Sequence, residues 1–223
     1  MSLRALSLLE GRVLGVLVEK AHTVPDSYPL SLNSLTLGCN QKTARDPVLA
    51  ATDAEVQSAI DALKQLSLVF EASGSRVMRY EHNLGRVLGV PSQSAALLAT
   101  LLLRGPQTAS ELRANSERLH RFADLSSVEA FLDELAQRRD EKGGALVAKL
   151  ARVPGARESR WAQLLTGAVD VASLAGAVAS EDFVATTELA ALKAAQAGMQ
   201  VELADLRARV DRLYVELGVA GSH

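Results

Sequence analysis

Only one cysteine, Cys39, occurs among the 223 residues, so no disulfide can close within the chain, and a reducing cytoplasm is the expected compartment. Histidine is scarce too. His22, His82, His120 and His223 lie far apart, and no His/Cys group has the spacing of a metal site. An excess of either charge is also missing. With a net charge of −2 and a pI near 6.1, the molecule as a whole does not attract nucleic acid or an anionic membrane, so any such contact has to come from a local patch. Long apolar runs are absent. The stretch AVDVASLAGAVAS, residues 168 to 180, is too short to span a bilayer and contains Asp170, and the N-terminus MSLRALSLLEGRVLG has no charged segment leading into a clean apolar one. A soluble protein without membrane contact is expected. There is no glycine-rich phosphate loop after a strand, no paired histidine on a helix and no nucleophile set in a catalytic motif, so no enzyme activity, cofactor or metal is expected.

What is present is helical periodicity, in a length that suits one large domain or two small ones. From about Leu6 to His22, Leu9, Val13, Val16 and Leu17 share a helical face behind the capping pattern Ser7-x-x-Glu10. Pro25 and Pro29 interrupt it, and a short second helix is predicted from Ser31. The polar run CNQKTARDP, residues 39 to 47, then leads to Thr52-x-x-Glu55, which opens a third helix carrying Val56, Ile60, Leu63 and Leu66. After it, LVFEA, a Ser73-Gly74-Ser75 turn and RVMRYEH read as a β-hairpin.

Three helices followed by a hairpin is the element order of a winged-helix domain, and the order recurs. SQSAALLATLLLRG supplies a helix, Thr108-x-x-Glu111 caps a short one, and Ser126-x-x-Glu129 is expected to cap SSVEAFLDELAQRR. Within that last segment Val128, Leu132 and Leu135 match Val56, Ile60 and Leu63 at a constant offset of 72 residues. ALVAKL and SRWAQLL around RVPGARE give a second hairpin. The predicted fold is mainly α with small β-hairpins: two tandem winged-helix domains, residues 1–85 and 91–166, plus a C-terminal coiled-coil-like helix. A small-residue linker, 167–186, joins that helix, 187–217, to the rest. In it Leu189, Leu192, Gln196, Met199, Leu203, Leu206, Val210, Leu213 and Leu217 alternate spacings of three and four, an a/d heptad series that implies a homodimer. The alternative is an amphipathic helix folded back on its own protein.

Two function classes fit this organisation. Both hairpins are basic, with Arg76 and Arg79 in the first and Arg152, Arg157 and Arg160 at the second, while Lys42 and Arg45 stand in the loop before the third helix. All seven are candidates for contact with the phosphates of duplex DNA. The third helices argue the other way, since Asp53, Glu55 and Asp61, then Glu129, Asp133 and Glu134, repel phosphate. A docking surface for another protein is therefore the second expected function. In the loop, Asn40, Thr43 and Asp46 are expected to hydrogen-bond the backbone, with Asp46-Pro47 starting a turn.

The string EKAHTVPDSYPLSLNSLTLGCNQKTARDPV (19 to 48), followed by GSRVMRYEH, LLLRGPQTASELR and PGARESRW, resembles the bacterial YceH family of uncharacterised proteins. The resemblance covers roughly residues 5 to 166 and leaves the heptad segment outside. It implies a pair of winged-helix domains and carries over no catalytic or binding residue.

Overall fold

In a computed structural model the described residues are 3–72, 77–152 and 157–167. The segment from 168 onward, with most of the expected linker and the whole heptad series, lies outside them, as does Arg76. The described chain is a mixed α and β structure in which helices predominate and the sheets are small and antiparallel.

Local hydrogen bonding explains where the helices begin. Ser7 Oγ accepts from the Glu10 amide at 3.2 Å while the Glu10 carboxylate accepts from the Ser7 amide at 2.7 Å, so both chain directions are fixed at the start of α1 (Leu8–Thr23). A 3-10 turn, Pro25–Ser27, leads to β1 (Leu30–Ser31), and Ser31 also caps α2 (Leu32–Cys39). Thr52 and Glu55 repeat the reciprocal cap at α3 (Asp53–Gln65). The hairpin of β2 (Val69–Ala72) and β3 (Arg79–His82) then returns the chain, and β1 adds to it in the order β1-β3-β2, with Leu30 and Glu71 both opposite Tyr80.

After a short α4 (Leu84–Leu88), the second half runs through α5 (Ser92–Arg104), α6 (Ala109–Asn115), α7 (Leu125–Ala136), β4 (Val147–Lys149) and β5 (Trp161–Gln163). Its equivalent of β1 is a single bridge. Gln107, just before α6, pairs with Trp161, in each direction through the backbone at 3.0 and 2.7 Å. The triplet Val128, Leu132 and Leu135 is buried as completely as Val56, Ile60 and Leu63. One expected cap is corrected: α7 starts at Asp124, whose Oδ1 accepts from the Ser127 amide at 2.8 Å, and Ser126 Oγ only donates to that same carboxylate. A carboxylate placed two residues earlier outcompetes the serine because its charge strengthens the bond.

The halves share one hydrophobic cluster. Along α1, Gly11 and Gly15 let α5 approach closely, for a Cβ there would stand 3.0 Å from Leu102 or Leu103 side-chain atoms. Backbone hydrogen bonds add two ties, Leu6 N to Leu165 O and Asp46 N to Leu103 O, both 2.8 Å.

Candidate functional site

The loop CNQKTARDP is built inward. Arg12, fully buried on α1, donates to the carbonyl oxygens of Cys39 at 3.0 Å and Pro47 at 2.6 Å, satisfying backbone groups that the irregular chain leaves unpaired. Asn40 holds Ala51 from both sides, its Nδ2 donating to the carbonyl and its Oδ1 accepting from the amide, each at 2.8 Å. That fits the expected role for Asn40. Neither Thr43 nor Asp46 makes a side-chain hydrogen bond of this kind among the described residues; Asp46 acts through its amide instead.

Arg45 was a candidate for phosphate and is corrected. Its Nη2 lies 2.6 Å from Glu19 Oε2 with no side-chain exposure, and its other donors meet Gly38 O, Ala44 O and Gln41 Oε1. Burial pushes the Glu19 carboxyl up, but its bonds to Arg45 and the neighbouring Lys20 outweigh burial and hold it below its ordinary value. Burial also lowers the Arg12 guanidinium, with the charge of Arg45 adding to the effect. Cys39, sealed below this loop, is pushed up to about 12 by burial, which keeps it a thiol.

Two further arginines are tied to their own fold. Arg79 Nη1 donates to Pro29 O at 2.7 Å and Ser27 O at 3.3 Å, bracing the turn against the hairpin. Arg160 meets Glu111 at 3.0 Å and Pro106 O at 2.9 Å. On α3, Lys64 pairs with Glu71, and Gln57 is held between Tyr80 and Asp61, so little on this helix is free to read a base edge.

Exposed cations gather on the second half. Arg152 and Arg157 flank the connection between β4 and β5, and both are exposed, as is Lys42 in the first half. Ser110 Oγ donates to the Glu158 carboxylate at 3.1 Å, which holds that hairpin beside α6. Next to it opens a cleft of about 340 Å³ bordered by Ser110, Arg113, Glu117, Arg121, Phe122 and Leu125. Arg113 is oriented by a 3.1 Å bond to Ala123 O, and His120 packs edge-on against Phe122 with centroids 4.8 Å apart, fixing the loop that presents Arg118 and Arg121. These arginines carried a signal that element patterns do not use: Arg113, Arg118 and Arg121 fall within nine residues.

Residues 6–156 match the family described as "Protein of unknown function, DUF480". Bacterial proteins called UPF0502 protein are similar over nearly their whole length. One from Paraburkholderia xenovorans is 63% identical over 218 residues, 98% of this chain and 91% of that protein. One from Methylibium petroleiphilum is 66% identical over 220 residues, covering 98% and 92%, and one from Leptothrix cholodnii is 64% identical over 219 residues, 97% of each.

Proposed function

Since the chain belongs to the DUF480 family of proteins of unknown function, its role has to be read from its own surface, and we propose that it is a non-enzymatic, duplex-DNA-binding protein of two tandem winged-helix domains. The topology supports the fold reading. In each half a short strand or bridge precedes the second helix and pairs with the last strand of the hairpin, Leu30 with Tyr80 and Gln107 with Trp161. Three helices and a hairpin thus occur in the same order in both halves, with a two-residue strand in the first and a lone bridge in the second at the corresponding place, which supports reading them as two copies of one unit.

The observation that carries DNA binding is the exposed arginine set of the second half, Arg152 and Arg157 at the hairpin with Arg113, Arg118 and Arg121 beside it. Such residues bind phosphate without reading sequence, and the acidic face of α7 favours that mode over base readout. The first half makes little contribution in this reading, because Arg45 and Arg79 are engaged internally. Duplex binding titrated against salt tests it. Each phosphate contact contributes about 0.9 to the slope of log affinity against log salt, so Arg152→Ala with Arg157→Ala should flatten the slope by about 1.8. Absence of duplex binding at low salt would refute the proposal.

A second reading, a protein-docking adaptor, is favoured by the first hairpin, where Phe70 is 42% and Met78 51% exposed beside an acidic α3. It takes over if the salt titration shows no duplex binding.

A further inference from the structure

The second hairpin is tied by its side chains to the first turn of α6. Backbone pairing between its arms covers three residues on each, Val147–Lys149 with Trp161–Gln163, and one bond more, Leu150 N to Arg160 O at 2.8 Å. Beyond that bond no backbone pairing joins the arms among the described residues, so side-chain bonds are what hold the returning arm. Arg160 reaches Glu111 at 3.0 Å and Pro106 O at 2.9 Å. Two residues nearer the tip, Ser110 Oγ stands 3.1 Å from each oxygen of the Glu158 carboxylate.

Glu158 is the sole acidic residue between Val147 and Gln163, a stretch that carries Lys149, Arg152, Arg157 and Arg160. A carboxylate beside phosphate-binding arginines repels their ligand, so its use has to be something other than its charge. The bond to Ser110 supplies one. Ser110 and Arg113 are three apart on α6, hence neighbours on one helix face, and both border the cleft described above. Arg157 directly precedes Glu158 and is exposed. The tie therefore brings the backbone that carries Arg157 alongside the helix face that carries Arg113.

Resting on the duplex-binding reading, we propose that Ser110 is a positioning residue: by holding Glu158 it keeps Arg157 of the hairpin beside Arg113 of α6, so that the two guanidiniums engage phosphates of one duplex together. Ser110 itself touches no phosphate in this arrangement. Its hydroxyl is spent on Glu158.

Affinity of the full chain for a mixed-sequence DNA duplex at low salt, measured as a double-mutant cycle, is the test. Ser110→Ala changes no charge and should weaken binding about three- to tenfold, the span of one net hydrogen bond, while Ser110→Thr keeps the hydroxyl and should retain the affinity. In a chain that already carries Arg157→Ala, Ser110→Ala should have no further effect, because the tie acts through that arginine. A hydroxyl that only stabilised the fold, or that met phosphate directly, would weaken binding equally in both backgrounds, and that result overturns the proposal. Unchanged affinity in Ser110→Ala also overturns it, as does Ser110→Thr binding as weakly as Ser110→Ala. Absence of duplex binding by the unaltered chain is a separate failure, which removes the DNA reading and this role of Ser110 with it.

Discussion

Gly38 lies where α2 meets α1, and an added Cβ would stand 2.6 Å from Val16 Cγ1. Val16 is fully buried and stiff at χ1, so it cannot yield. Although alanine favours helix by up to about 1 kcal/mol, Gly38→Ala should lower stability in urea unfolding by about 1–3 kcal/mol. Gly15→Ala should cost less, since its neighbours at 3.0 and 3.1 Å are Leu103 side-chain atoms that rotation can move, and the fixed Leu102 Cβ stands farther off at 3.3 Å. His82 gives a pH effect of definite sign. Burial, helped by the charge of His22, lowers its imidazole to about 4, against about 6.5 in the unfolded chain. Between those values the unfolded state binds more protons, so this contribution to stability is present above about 6.5 and is lost as pH falls toward 4. Carboxylates held low, such as Glu10 and Glu19, add a loss of the same sign in acid. Comparison with His82→Gln between pH 7 and pH 5 isolates the histidine, and an equal loss in both proteins would clear His82 of any part in it. At this scale the sequence is a poor guide to arginine. Whether Arg45, Arg79 or Arg160 faces water is decided by Glu19, Pro29 and Glu111, which are 26, 50 and 49 residues away.

Helix starts were legible because their cause is local. Ser7, Thr52 and Thr108 each meet a glutamate three residues on, and each is a cap in the structure. Asp124 is masked in the sequence because Ser126-x-x-Glu129 offers a similar pattern two residues later. The two caps can be told apart: Asp124→Ala should cost about 1 kcal/mol, and Ser126→Ala only a few tenths. The reverse order in thermal melts would restore the serine. Two-residue β1 and the lone Gln107 bridge are too short to leave any alternation, and their pairing with Tyr80 and Trp161 is set by tertiary contact. The five-residue α4 runs into the interval between the two expected domains, 1–85 and 91–166, and is too short to show a helical period. Gly89 ends that helix in the left-handed region, at φ 61°.

For the whole molecule, the heptad spacing from Leu189 to Leu217 leads to the expectation of a dimer that becomes monomeric when the chain is cut after Gly167, as sedimentation would show. An unchanged association state would assign those residues another use. The close fit of α1 and α5, with Asp46 bonded to Leu103, joins the described halves through a shared core, so local damage in one should be felt in the other. Cys39 turns that into something countable. It is the sole thiol of the chain, fully buried and protonated, so an alkylating reagent can consume it only in molecules that have momentarily come apart around α2. The labelling rate is thus a clock for such openings, built in without any engineered tag. If the clock runs faster when a distant cap such as Asp124 is removed, the described halves breathe as a single unit, and if it keeps time, they open independently.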